Sequence, residues 1–182
     1  MKRAVVLLAD GFEEVEAITQ IDFLRRAGIE TVVAGVTARD VVGGHDIRVN
    51  TDITVDEYAD SFDAVVLPGG ATGARHIAAD EQSMQLIRRA FEQGKLVAAI
   101  CAAPGVVLGA NGLLGDHTFT CYPGFQEQAT SGRFVEDRVV VEDNLITSRG
   151  PGTAAEFALS IVTYLVGGEA ARELHERTLQ KA

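Results

Sequence analysis

Four short runs of uninterrupted apolar residues constrain the fold of this chain most. They are 4–9 (AVVLLA), 31–36 (TVVAGV), 64–67 (AVVL) and 96–100 (LVAAI). A run this short, apolar at every position, reads as a strand buried on both faces. That is the pattern of a parallel sheet covered by helices. Between the first two runs, 13–27 carries Val15, Ile18, Ile21 and Leu24 or Phe23 at helical spacing, ends on Arg25 and Arg26, and stops at Gly28. Strand, helix and strand within the first 36 residues make a crossover unit of a parallel sheet.

The remaining stretches fit that frame. Gly43-Gly44 lies between short β-like segments and 46–55 alternates apolar with polar, which predicts a hairpin or edge excursion. A helix is predicted over 83–93, with Met84, Ile87 and Phe91 on one face, Leu86 beside them and Gly94 as its stop. Another helix starts at Ala102, with Pro104 in its first turn, where the missing N–H costs nothing. Short strands are predicted at 118–120, 139–141 and 145–147. Thr153 and Glu156 form a capping box that opens an apolar helix through Val166, and a polar helix over 169–179 closes the chain. The expectation is an α/β architecture, a mostly parallel central sheet in one domain over 1–182, with no internal repeat or linker.

Composition excludes some functions. The net charge of −10 is spread along the chain, which argues against nucleic acid and acidic membrane surfaces as partners. No apolar run approaches the ~18 residues of a spanning helix. The apolar run after the basic start ends at Asp10, too short for a signal peptide, so a cytoplasmic protein is expected. Cys101 and Cys121 stand 20 apart with no CxxC, and a structural disulfide is not expected there.

In open parallel sheets, ligands gather at the carboxyl ends of the strands. Asp10-Gly11, Pro68-Gly69-Gly70 and Cys101 all fall at such ends. Cys101 sits where a strand turns into a helix, and two readings stand. It is a small buried hydrophobe, or it is a thiol that helix N–H groups hold as thiolate. Glu13, Glu14 and Glu16 open the first helix, where the dipole favours acids. Three carboxylates in four positions exceed what the dipole requires. Glu16 lies one position off the Val15/Ile18 stripe. Turned inward and desolvated there, its raised pKa would let it donate a hydrogen bond to a thiolate. Pro68-Gly69-Gly70 is either a turn or an amide nest for an oxyanion. Gly150-Pro151-Gly152 reads as a turn beside the same pocket. Cys121 reads as packing. His45, His76, His117 and His175 show no metal-ligand spacing, and no metal site is assigned. There is no Walker A pattern, and the loose GxGxxA at 150–155 comes too late for a dinucleotide fold.

The runs LLADGFEEVEAITQIDFLRRAGI, VVLPGG, VAAICAAPGVVL and ITSRGPGTAAEFAL lie in order from Leu7 to Leu159. Together they resemble the ThiJ/PfpI superfamily, in the branch of the Parkinson disease deglycase and YajL. The resemblance implies a flavodoxin-like sandwich with helices on both faces, and a homodimer. It implies that Cys101 is the reactive cysteine on a strained elbow and that Glu16 is the acid bonded to its sulfur. Gly69, Gly70 and Ala102 match amides of an oxyanion pocket, and Tyr122 stands where some members carry a pocket histidine. Glu13, Asp22 and Arg26 match positions near the dimer interface. His45 stands there in place of an arginine, so an ion pair at that point would depend on pH. Ala102 and Ala103 follow Cys101 where the peptidase-like branch has a histidine, which speaks against proteolysis.

The expected activity is chemistry on reactive carbonyls without a cofactor. The Cys101 thiolate attacks an aldehyde such as methylglyoxal to give a thiohemiacetal, Glu16 moves the proton as general acid/base, and lactate leaves. Glycated amines on proteins would follow the same covalent step. The same residues also suit a redox sensor or oxidative-stress chaperone working through Cys101 oxidation. A thiamine-pathway role has no phosphate loop to support it.

Overall fold

The structure, a computed structural model, describes residues 1–59 and 61–180. Among these residues eleven strands and five α-helices follow one another: β1 (Arg3–Leu8), α1 (Glu14–Arg26), β2 (Glu30–Gly35), β3 (Asp40–Val42), β4 (Arg48–Asn50), β5 (Ile53–Thr54), β6 (Ala64–Leu67), α2 (Ala71–Ala79), α3 (Glu81–Glu92), β7 (Leu96–Ile100), β8 (Thr118–Phe119), β9 (Arg133–Phe134), β10 (Val139–Glu142), β11 (Leu145–Ser148), α4 (Ala154–Val166) and α5 (Gly168–Arg177). The main sheet runs β10-β11-β7-β6-β1-β2-β5, and every pair in it is parallel except β10–β11. The four apolar runs are its central strands. Every residue of β6 and β7 is buried, as the absence of alternation requires.

The path from β1 to β2 crosses the sheet in one direction, and the path from β6 to β7 crosses it in the other. Right-handed crossovers therefore put their helices on opposite faces. α1 packs with α4, while α3 covers β6 and β7 beside α2. The reversal lies between β1 and β6, so the carboxyl ends of β1, β6 and β7 border one crevice, the place where open α/β sheets bind ligands.

Several local expectations are corrected by packing. Val15 and Ile18 do not face the core; both are exposed, while Ala17, Ile21 and Leu24 turn to the sheet. Gln20 is fully buried instead, with Nε2 donating to the Ala154 carbonyl at 2.9 Å where α1 meets α4. α2 had no expectation, because its sequence, ATGARHIAA, carries too short an apolar pattern to announce a helix. α3 begins earlier than expected, capped by Asp80, whose carboxylate accepts from Ser83 N–H at 2.7 Å. The turn opened by Pro104 is a π-helix over Pro104–Gly109 rather than an α-helix. Gly105 and Gly109 pack there against the backbone of Phe125 and Ala129, with no room for a side chain. The capping box does not form. Thr153 Oγ1 bonds Ser148 Oγ at 2.6 Å and Gly150, and Glu156 pairs with Arg138 instead.

The stretch of alternation forms the hairpin β3–β4 and the edge strand β5. β8 and β9 pair as a small separate sheet. No helix among the described residues is long and apolar enough to cross a membrane.

Candidate active site

Cys101 is the first residue after β7, and its φ is +64°. Holding a residue with a Cβ there costs about 1–3 kcal/mol, so the surroundings must enforce it. They do so from both sides: Cys101 N–H donates to Ser148 O at 2.9 Å, and Tyr122 N–H donates to Cys101 O at 2.9 Å. The end of β11 and the segment before Pro123 clamp the elbow that the apolar run and Pro104 define.

Glu16 lies one turn into α1 and is fully buried. Its Oε2 accepts from Gly69 N–H at 2.8 Å, and its carboxyl lies beside the Cys101 thiol. Oε1 is buried without a partner among the described residues. Glu13 holds the turn in register. Its Oε2 accepts from Glu16 N–H at 2.7 Å as the N-cap of α1, and its own N–H donates to Gly69 O at 3.0 Å. A Cβ on Gly69 would fall 2.5 Å from both Cys101 Cβ and Glu16 Oε2, so only glycine lets β6, the elbow and α1 close together. Of the three amides expected in an oxyanion pocket, Gly70 and Ala102 face the Cys101 sulfur, whereas that of Gly69 is occupied by Glu16.

Burial pushes the Glu16 carboxyl up to about 7; the charge of Glu13 adds to this, and the bonds from Cys101 and Gly69 oppose it. Burial also pushes the Cys101 thiol up, followed by the charge and hydrogen bond of Glu16. The Gly70 and Ala102 amides pull the other way without overcoming this. The expected thiolate, held by helix-end amides and the Glu16 acid, is opposed by burial and by the charge of Glu16. Both groups are held toward their neutral forms, and the thiol gives up its proton less readily than the Glu16 carboxyl.

Tyr122 stands at the rim. Its ring lies edge-on to Phe125 with centroids 6.3 Å apart, beside Gly150, whose missing side chain would lie 3.1 Å from Tyr122 Cδ2 and 4.0 Å from Glu16 Oε1. The phenol makes no hydrogen bond among the described residues, so its placement is that of a wall. Cys121 is fully buried, with its thiol pushed up to about 11 by burial, in line with packing.

The remaining predicted residues lie along α1 and the hairpin. Asp22 and Arg26 form an exposed pair one turn apart, Nε to Oδ2 at 2.6 Å. Within one chain His45 meets Glu14 through both its N–H and its Nδ1, at 2.6 and 2.8 Å, so the pH-dependent pair is His45–Glu14. Glu14, expected only as a helix-dipole acid, is buried against Gly43. Glu13, Glu14 and His45 each bring a donor atom within 4.8 Å of the others, the one such grouping among the described residues. Those atoms already bond one another or the α1 backbone. Arg149 was not singled out in the sequence. Its signal was a lone cation ending a buried strand just before Gly150-Pro151-Gly152.

A family model described as the DJ-1/PfpI family matches residues 2–164. The chain is 44% identical to protein dj-1beta of Drosophila melanogaster over 177 residues, 95% of this chain and 94% of that protein. It is 35% identical to the glutathione-independent glyoxalase DJR-1.2 of Caenorhabditis elegans, with the same coverage. The chain spans only 40% and 45% of the DJ-1 homologs B and A of Arabidopsis thaliana, each 40% identical to it over the matched part. Among solved structures, a DJ-1 superfamily protein of Salmonella typhimurium superposes with a TM-score of 0.97 at 38% identity over the whole of both chains. Drosophila DJ-1beta superposes with 0.95 at 42% identity, over 100% of this chain and 99% of that one. The fold is the flavodoxin-like one of those structures.

Proposed function

The chain belongs to the DJ-1/PfpI family, and from that premise we propose that it is a cysteine-dependent enzyme acting on small reactive carbonyls. The observation that carries this reading is Glu16: a buried carboxyl beside the Cys101 thiol, pushed up to about 7, where it gives and takes a proton with equal ease near neutral pH. A relative named as a glutathione-independent glyoxalase supports the same class of substrate.

The steps follow from the groups present. Glu16 takes the thiol proton as the Cys101 sulfur bonds to the aldehyde carbon of methylglyoxal. The carbonyl π pair moves to oxygen beside the Gly70 and Ala102 amides and is protonated, giving a thiohemiacetal. Glu16 then removes the hydrogen from that carbon and returns a proton to the neighbouring one. The carbonyl has then moved onto the sulfur-bearing carbon, as a thioester. Water cleaves it to lactate and the free thiol, so the net change is addition of one water. A glycated amine would enter through the same addition, which extends the reading to deglycation of proteins. Cys101→Ser is expected to abolish lactate formation, and Glu16→Gln to reduce it at least about 100-fold, the usual worth of a general acid/base. Undiminished lactate from either variant removes the mechanism.

A second reading draws on the unpartnered Glu16 Oε1. Peroxide would take the sulfur to the sulfenic and then the sulfinic acid, and a protonated Glu16 would hydrogen-bond the new oxygen. Peroxide-dependent sulfinate confined to Cys101, without aldehyde turnover, favours this sensor over the enzyme.

The family also supports a homodimer. Val15 and Ile18, exposed on α1 between Glu13 and the Asp22–Arg26 pair, supply the apolar surface a partner copy would cover, with His45 at its edge.

A further inference from the structure

Beyond Tyr122 and Gly150 lies a cavity of about 250 Å3, lined also by Pro123, Arg138, Arg149 and the turn 151–153. Tyr122 and Gly150 form a wall common to this cavity and to the Glu16 side of the reactive pair. Two arginines reach it, and they differ. Arg138 is engaged through two of its nitrogens: Nε and Nη2 hold the Glu156 carboxylate at 2.6–3.0 Å, and Nη2 also meets Gly152 O at 2.8 Å. Arg149 has no side-chain hydrogen bond or ion pair among the described residues. Its Nη1 is shielded from solvent without a partner, and its guanidinium carbon sits 5.9 Å from the centroid of the Phe134 ring.

A partly buried guanidinium presents five donors and normally uses several. Leaving them idle is costly unless an acceptor arrives. The position is also fixed relative to the chemistry. Residue 148 accepts the Cys101 N–H at 2.9 Å, and Arg149 follows it, anchored by its own N–H on Arg138 O at 3.2 Å. In a chain of net charge −10, Arg149 is a cation without an ion pair among the described residues, and its charge is felt at the neighbouring Cys121 thiol.

We propose that Arg149 is the anion-recognising residue of this site and takes the carboxylate of a small substrate whose carbonyl is presented to Cys101. The planar fork suits a carboxylate. The volume suits a molecule of a few non-hydrogen atoms. This rests on the carbonyl reading above and deepens it: the preferred substrates are carbonyl compounds that carry a carboxylate, rather than neutral dicarbonyls.

Two matched probes separate the inference from the reading it rests on. Iodoacetate and iodoacetamide alkylate the same thiol and differ in one charge. Their rates are read at the Cys101 peptide by mass spectrometry and normalised to a free thiol. In Arg149→Gln the iodoacetate-to-iodoacetamide ratio is expected to fall at least about tenfold, the worth of one charge-assisted hydrogen bond. Arg149→Lys, which keeps the charge without the fork, is expected to fall in between. In wild type, raising salt from about 20 to about 500 mM lowers the ratio if Arg149 attracts the anion, and raises it if the overall negative charge governs approach. A Gln-variant ratio within about twofold of wild type, or a wild-type ratio that rises with salt, overturns the proposal. On the turnover side, kcat/KM for 4,5-dioxopentanoate, a 2-ketoaldehyde that carries a carboxylate, relative to methylglyoxal is expected to fall by the same factor in Arg149→Gln. A wild type that turns over neither aldehyde removes the carbonyl reading, while the alkylation ratio still reports on Arg149.

Discussion

Glu16 and Cys101 are held in a place where neither can ionise freely, and that is the source of their reactivity and of a cost to the fold. The unfolded Glu16 carboxyl titrates near its ordinary 4.5 and the folded one near 7. Between those values the folded state holds a proton that the unfolded state has released, so stability falls as pH rises through that window. The gap corresponds to about 3 kcal/mol at most. Glu16→Gln carries no charge to bury and can still accept from Gly69 N–H. Urea unfolding at pH 5 and pH 8 should therefore show the variant gaining stability relative to wild type as pH rises; a constant difference would mean that Glu16 is not buried as a titrating acid. Cys101 was legible at this scale because a strand-to-helix corner is a local matter. The titration of its sulfur was not legible, since desolvation and the nearby acid come from residues 85 positions away.

At the level of elements, α1 is where the sequence misled. Its apolar positions Val15 and Ile18 look like a core stripe, yet the helix turns Ala17, Ile21 and Leu24 to the sheet and buries three polar residues, Glu14, Glu16 and Gln20. Each of those has a partner on another element: the β3–β4 hairpin, β6, and the start of α4. The capping box failed for the same reason, because Thr153 found Ser148 and Gly150 at the end of β11. The Glu14–His45 contact fixes the hairpin on α1, and its two halves separate by mutation. Glu14→Ala removes both bonds and leaves His45 N–H unpaired, so it should destabilise by about 1–3 kcal/mol. His45→Ala keeps the backbone bond and should cost less. Burial raises the Glu14 pKa, but the His45 bonds lower it more, and Glu14 in turn raises that of His45. The ring's contribution is therefore complete below about 6.5 and is lost as pH rises through the raised His45 value. Hydrogen exchange of the hairpin amides should quicken across that range in wild type and stay flat in His45→Ala.

Across the whole molecule, the reversal between β1 and β6 gathers the ends of three strands, and Glu16, Gly69 and Cys101 meet there from separate stretches of chain. The exposed Val15 and Ile18 make assembly the natural test at this scale. Val15→Asp together with Ile18→Asp should shift a dimer to monomer by sedimentation while leaving the melting of the sheet cooperative; a wild-type monomer at micromolar concentration would remove the dimer reading. By itself the sequence determined the strands, the parallel sheet, the elbow at Cys101 and the family, because continuous apolar runs and glycine or proline stops act over a few residues. Only the tertiary structure decided that Gly69 N–H serves the acid, that His45 meets Glu14, and that the Arg149 side chain is left without a hydrogen bond or ion pair among the described residues. Those outcomes depend on which surfaces the packing removes from water, a property that no single stretch of chain contains.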